Sequence, residues 1–411
     1  MSGSNPTLWR HRDFLHLWSA QAVSAFGSRI TRTALPVIAV LLVTEDPIEI
    51  AILSALGVLP GIVVGLFAGG FIDRRPKRPI LVAADLVRAV LVFSVPIAAW
   101  FSELTMSQLY VVAALVGAAS AVFRLADNAY LPALIGREAL IEGNSKLETT
   151  ESIAEIGGPG LAGILIQWLT APVAMAVDAL SYLVSAALLF RIRARERVVA
   201  VAVRGGSVVE DIRIGLRAGF GHPIVGKTLW AIAIGEFCNG AFMALYSLYA
   251  LRTLGLDVAT LGLVISLGGI GALAGAFVAA RLSSRLGLGR ALVVTLLLGN
   301  TANLFVPAAS LFPAHGAAFL SASQLLGDGC LVAFFILANS YRQAALPLDV
   351  QARAGGMLQA LSGVLLPSGA LIAGAIAAAT SAATALWIGV IGSLFAVVPL
   401  LRGSIFALER P

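Results

Sequence analysis

Charge is what this chain has least of. Only 12% of its 411 residues are Asp, Glu, Lys or Arg, where a soluble globular domain carries roughly 25%. That scarcity excludes a water-soluble fold for most of the length. Cysteine is almost missing as well. Cys238 and Cys330 both fall in apolar stretches, so no disulfide framework is implied and the redox compartment stays open. The four histidines, His11, His16, His222 and His315, have no cysteine near them, and no metal site is expected. No GxxxxGK[ST] loop occurs, which removes ATP as the energy source. There is no arrangement for nucleophilic catalysis either, so neither an enzyme nor a cofactor is expected.

What is there, in quantity, is apolar sequence: 59% of the residues are hydrophobic. Runs of about 20 such residues recur along the chain, the length needed to cross ~30 Å of hydrocarbon. Breaks at charges, Pro and Gly divide them into twelve segments, at 14–43, 48–72, 79–100, 106–128, 146–169, 172–191, 226–251, 258–280, 290–312, 315–340, 355–379 and 382–402. The reading is an all-α membrane protein with twelve transmembrane helices. The polar start carries both charge signs and no small-residue cleavage site, so no removable signal peptide is expected. With the N-terminus inside, 23 of the 28 Lys and Arg fall on the same side. Arg252 alone is outside, and Arg29, Arg32, Arg88 and Arg124 lie within segments. Cations on short loops set orientation, so both termini are expected to be cytoplasmic in a bacterial-type inner membrane. The net charge of +6 is thus spread over loops and does not form a nucleic-acid patch.

The longest connection divides the chain into a bundle at 1–192, a linker at 193–225 and a second bundle at 226–411. Within the linker, Ile212, Leu216 and Phe220 recur at helical spacing among Arg213 and Arg217, a pattern for an amphipathic helix at the headgroups. The halves echo each other: "LW" at 17–18 returns at 229–230, "GLFAGGFIDRR" at 65–75 resembles "ALAGAFVAARL" at 272–282, and "GGPGLAG" at 157–163 is echoed by "LPSGALIAG" at 366–374. Such repeats are what secondary transporters are built from.

Gly69, Asp73, Arg74, Lys77 and Arg78, in "GGFIDRRPKRP", resemble the cytoplasmic loop signature between the second and third helices of the major facilitator superfamily. Pro76 stands where that signature has a second glycine. "DLVRA", "LPALIGREALIEGN", "GGPGLAG", "VDALSYLVSAALL" and "NSYRQAALP", in this order, are similar to the branch containing macrolide-efflux proteins and the enterobactin exporter. The first segment reads Gly27, Ser28, Arg29 where that branch often has Gly-Asp. The resemblance implies the major facilitator fold, two pseudo-symmetric six-helix bundles, and a loop that latches one state of an alternating-access cycle. "GGPGLAG" partly matches the superfamily's antiporter signature, with Gly158, Pro159 and Gly163 letting the fifth helix bend and pack closely, although Ala154 replaces an upstream glycine.

A charge near the bilayer centre costs at least ~2.5–3.5 kcal/mol on insertion scales, so each needs a reason. Arg29 and Arg32 share a face of the first segment, Glu236 sits roughly 15 Å into the seventh, and Asp328 is near the middle of the tenth. The resemblance implies that these helices line a central cavity. On one reading the arginines hold an anionic or polar group of the substrate and Glu236 or Asp328 takes up and releases a proton. On the other, Arg29 or Arg32 forms a buried bridge with Glu236 or Asp328. Asp85 and Arg88, with Arg124 and Asp127, read as a gating and stability network, and Arg124 is the expected partner of Glu151. Of the stripe Glu148, Glu151 and Glu155, Glu155 is the coupling candidate; Asp178 reads as structural. Phe26, Trp230, Phe237, Phe242, Tyr246, Phe334 and Phe335 offer an aromatic wall.

The sequence therefore points to a secondary transporter, a proton-coupled exporter of a drug-like, siderophore-like or other secondary-metabolite molecule. Its expected partners are an anionic or amphipathic small molecule, protons and the lipid bilayer, and a monomer is expected. A lipid or lysolipid translocator and a non-transporting membrane receptor are the alternatives.

Overall fold

The computed structural model describes residues 8–68, 71–72, 74–136, 138–194 and 208–401. Gly69 and Asp73 of the loop signature, and 195–207 of the linker, lie outside the described residues. The spans are α1 (Arg12–Val43), α2 (Pro47–Phe67), α3 (Lys77–Trp100), α4 (Met106–Ile135), α5 (Leu140–Leu169) and α6 (Ala171–Arg191). A connecting helix, Val208–Gly221, follows. Then come α7 (Val225–Thr253), α8 (Val258–Leu286), α9 (Leu288–Leu311), α10 (Pro313–Ala345), α11 (Leu348–Ala379) and α12 (Ala382–Leu401). Eleven of these, all but α5, are long and apolar enough to cross a membrane, and the protein is a multi-pass membrane protein. The exception is chemical, not one of length. At 30 residues α5 is about 45 Å long, but its first half carries Glu142, Lys146, Glu148, Glu151 and Glu155.

By contact the chain falls into two compact units. Unit 1 holds α1 and the chain from Leu56 through α6; unit 2 holds Thr44–Ala55 and everything from the connecting helix onward. The first part of α2, which the sequence groups with the first six spans, thus belongs to unit 2 by contact. The two units repeat one packing scheme. In unit 1, α1 packs on α5 and α6, and α3 on α4 and α6; in unit 2, α7 packs on α11 and α12, and α9 on α10 and α12. A close crossing completes each set. A Cβ on Gly61 of α2 would stand 3.0 Å from the carbonyl oxygen of Gly117 on α4, and a Cβ on Gly275 of α8 would overlap that of Gly329 on α10. With lipid no more polar than leucine, helices associate by close packing, and small residues permit it.

Unit 1 has a core of Phe14, Leu17, Ile72, Leu81, Tyr130 and Leu189. Unit 2 has one of Leu229, Leu292, Phe334, Leu337, Met357 and Leu400. Phe334 of the expected aromatic wall is therefore core, fully buried against its neighbours. The exposed faces of the spans carry Val90, Trp100, Phe277 and Phe395, apolar side chains suited to lipid.

Caps mark the helix starts. Thr105 accepts from the Gln108 amide at 3.3 Å, Asp257 from the Thr260 amide at 2.9 Å, and Ser381 from the Thr384 amide at 3.1 Å. Asp257 also takes the Thr260 hydroxyl at 2.7 Å, and these bonds hold its carboxyl below the usual carboxylate range. A depressed carboxyl adds stability above its unfolded value, which is lost as pH falls through its folded one. Asp257→Ala is expected to lower stability at neutral pH by about 1 kcal/mol. Melting curves should show the gap between wild type and variant closing below about pH 4.

Candidate functional site

Arg29 is the most demanding residue of unit 1. It sits in the middle of α1, inside a membrane span, and is only 5% exposed. Two features of α5 accommodate it. Gly158 leaves the space that the arginine stem occupies: a Cβ there would come within 2.5 Å of Arg29 Cβ. One and two turns back along the same face, Glu155 and Glu151 present their carboxylates. The Arg29 guanidinium bonds Glu151 Oε1 and lies 2.6 Å from Glu155 Oε2. Glu155 is shared, because its other oxygen is 3.4 Å from Arg32 Nη1. Two positive and two negative charges balance. Their surroundings differ, since Arg32 is 66% exposed and the glutamates about half.

The arginines thus find their carboxylates within their own unit, on α5, and the bridge foreseen with Glu236 or Asp328 is not how they are neutralised. Nor are the two arginines equivalent, although three residues apart on one helix. Glu151 bonds Arg29, and its expected partner Arg124 stands beyond ion-pair distance, although the charges of Arg124 and Glu151 still interact. Glu148 is exposed. The role of Gly158 was not legible as a seat for Arg29, yet a signal existed: Glu151, Glu155 and Gly158 follow i, i+4, i+7 spacing and share a helix face.

A second charged cluster is closed. Asp85 is fully buried, accepts the Ser185 hydroxyl at 2.6 Å and bonds Arg88 one turn along α3. Arg88 lies between the rings of Phe123 and Tyr182, each 4.4 Å from its guanidinium carbon. Asp127 takes a separate route, accepting from Gln21 of α1 at 2.5 Å. Asp178, fully buried on α6, takes the Ser181 hydroxyl at 2.9 Å in the space that Gly27 leaves open.

Of the loop signature, Arg78 donates to the carbonyls of Leu189 (3.0 Å) and Phe190 and lies 5.3 Å from the Phe190 ring centre. It thereby ties the start of α3 to the last turn of α6, where the Leu189 carbonyl also accepts from the Ile192 amide at 3.2 Å. Lys77 donates to the Arg75 carbonyl at 2.7 Å, and Arg74 is exposed. Pro76, extended at ψ 133°, leads into α3. Pro159 and Gly163 are buried in α5, which runs unbroken past the proline.

In unit 2, the Glu236 carboxyl of α7 lies near the Ser362 side chain of α11. Asp328 closes a π-turn, Ser323–Asp328, within α10, and its carboxylate lies with Gln324 against Gly268 of α8.

A sequence model of the Major Facilitator Superfamily matches residues 17–365. The chain belongs to that superfamily. It is 26% identical over 377 residues to the multidrug efflux pump Tap of Mycolicibacterium fortuitum, covering 88% of each. To macrolide efflux protein A of Streptococcus pyogenes it is 27% identical over 175 residues, spanning 42% of that relative's length. Among solved structures, the nucleoside transporter NupG (TM-score 0.74, 14% identity) and an inward-facing bacterial homologue of the iron transporter ferroportin (TM-score 0.72, 17% identity) each cover 95% of this chain and 98% of their own. At such identities they share its fold.

Substitutions at Gly158 and at Arg88, each with a control, probe the geometry of this superfamily member. Gly158→Ala, overpacked against Arg29, is expected to cost ~1–3 kcal/mol, whereas Gly157→Ala, whose Cβ would meet only Phe26 at 3.8 Å, should melt like wild type. Arg88→Ala strands the Asp85 charge and is expected to cost about 3–5 kcal/mol. Asp85→Leu combined with Arg88→Leu should melt well above Arg88→Ala if the stranded charge is the cause.

Proposed function

We propose that the protein is a secondary active transporter that exports an amphipathic, drug-like or secondary-metabolite molecule in exchange for protons. It works as a monomer, by alternating access, in an inner membrane with both termini cytoplasmic. The observation that carries this reading is the balanced Arg29–Glu151–Glu155–Arg32 group inside the spans, with its carboxylates half exposed. The efflux functions named for its relatives agree with it.

The sign of coupling follows from which group the substrate engages. A proton on Glu155 and a cationic or hydrogen-bond-donating group of the substrate are alternative partners of one carboxylate. Binding one expels the other, which is exchange. An anionic group on the arginines would instead displace Glu155 and favour its protonation, so substrate and proton would travel together. Export against an inward proton gradient requires the first case. Glu236 and Asp328 supply a second carboxylate pair in the other unit for the same cycle. Arg78 at the head of α3, with the remaining basic residues of its loop, latches one state, and the α5 glycines with Pro159 let that helix flex around the arginine.

Purified protein in liposomes loaded with a pH-sensitive dye, challenged with amphipathic amines and neutral and acidic amphiphiles, tests this. Substrate-driven proton movement is expected in wild type, and Glu155→Gln should fall to the level of empty vesicles. Labelled substrate crossing wild-type vesicles with no proton movement would overturn exchange in favour of uniport or lipid translocation.

A further inference from the structure

The connecting helix Val208–Gly221 carries a face that the transport reading leaves unused. Its two sides differ sharply. Gly215 and Gly219 are buried: a Cβ on Gly215 would stand 2.5 Å from the Arg353 carbonyl oxygen of α11, and one on Gly219 would stand 2.7 Å from Leu229 of α7. The absence of side chains there fixes the helix tightly against the starts of both spans. Around the opposite side, Arg213, Arg217 and Phe220 follow i, i+4, i+7 spacing and so share one stripe. Both arginines are exposed, and neither has a carboxylate at ion-pair distance among the described residues. Glu210, also exposed, is the one acid on that stripe whose side chain is described. Leu216 beside them is exposed and apolar.

The stripe ends on an aromatic pair. Phe220 meets Trp230 edge to face, ring centres 5.3 Å apart, and Trp230 is 57% exposed on α7, one to two turns into that span. Tryptophan prefers the depth at which headgroups meet hydrocarbon. A cation held at that depth would meet lipid phosphate.

We propose that Arg213 and Arg217, with Phe220 and Trp230, form a site for the phosphate headgroup of an anionic phospholipid in the cytoplasmic leaflet. The proposal rests on the orientation assigned above but not on transport. The chemistry is complementary at both ends, guanidinium to phosphate and Leu216 and Trp230 to the acyl region.

The test uses the full-length protein in neutral detergent. Its binding of phosphatidylglycerol, phosphatidylcholine and glycerol phosphate is followed by native mass spectrometry and melting midpoint. Phosphatidylglycerol is expected to bind and raise the midpoint, and phosphatidylcholine is not. Near a surface each cation contributes about fivefold in affinity, so Arg213→Gln should weaken phosphatidylglycerol about fivefold and Arg213→Gln with Arg217→Gln about 25-fold. Lysine at both positions should restore most of it. The double glutamine variant should melt like wild type in phosphatidylcholine, which separates lost binding from lost folding. Equal binding of phosphatidylcholine, undiminished phosphatidylglycerol binding by the double variant, or equal binding of glycerol phosphate without acyl chains would each overturn the proposal.

Discussion

A guanidinium inside a bilayer must bring its counter-charge with it. Water cannot solvate Arg29 at the middle of α1, and an unpaired charge there costs several kcal/mol. Much of unit 1 is arranged around that fact. α5 gives up hydrophobicity over its first half to present Glu151 and Glu155, and gives up a side chain at Gly158 so that the arginine stem can reach them. The contact between α1 and α5 follows. So does the oddity that one span of twelve is too charged to look like a span.

The balance is asymmetric, and that matters for function. Arg29 is enclosed, while its carboxylates and Arg32 are half exposed or more. A closed pair such as Asp85–Arg88, walled by Phe123 and Tyr182 with Ser185 on the remaining oxygen, offers nothing for a substrate or proton to exchange with. The open pair is accessible.

Repetition carries the rest of the architecture. The same helix pairs touch in each unit, and glycines set the α2–α4 and α8–α10 crossings. The chemistry of the polar contacts differs between the units. Ion pairs join α1 to α5, whereas Glu236 of α7 lies near Ser362 of α11 and has no ion pair among the described residues.

Hydropathy alone determined that the chain spans a membrane repeatedly, because hydrocarbon admits few polar side chains and a span has a fixed length. Motif order determined the superfamily, and the internal echoes determined the two-bundle plan. The charges that needed an explanation were equally visible, since each interrupts an apolar run. Their partners were not. Arg29 and Arg32 look alike in sequence, yet one is enclosed and the other open, and Glu151 bonds Arg29 while Arg124 stands farther off. Residues 122 positions apart meet only because α1 lies on α5. Phe334 read as wall and proved to be core, because spacing gives the face of a helix and not what that face meets. Pairing and exposure depend on which helices are neighbours, and only the tertiary structure decides that.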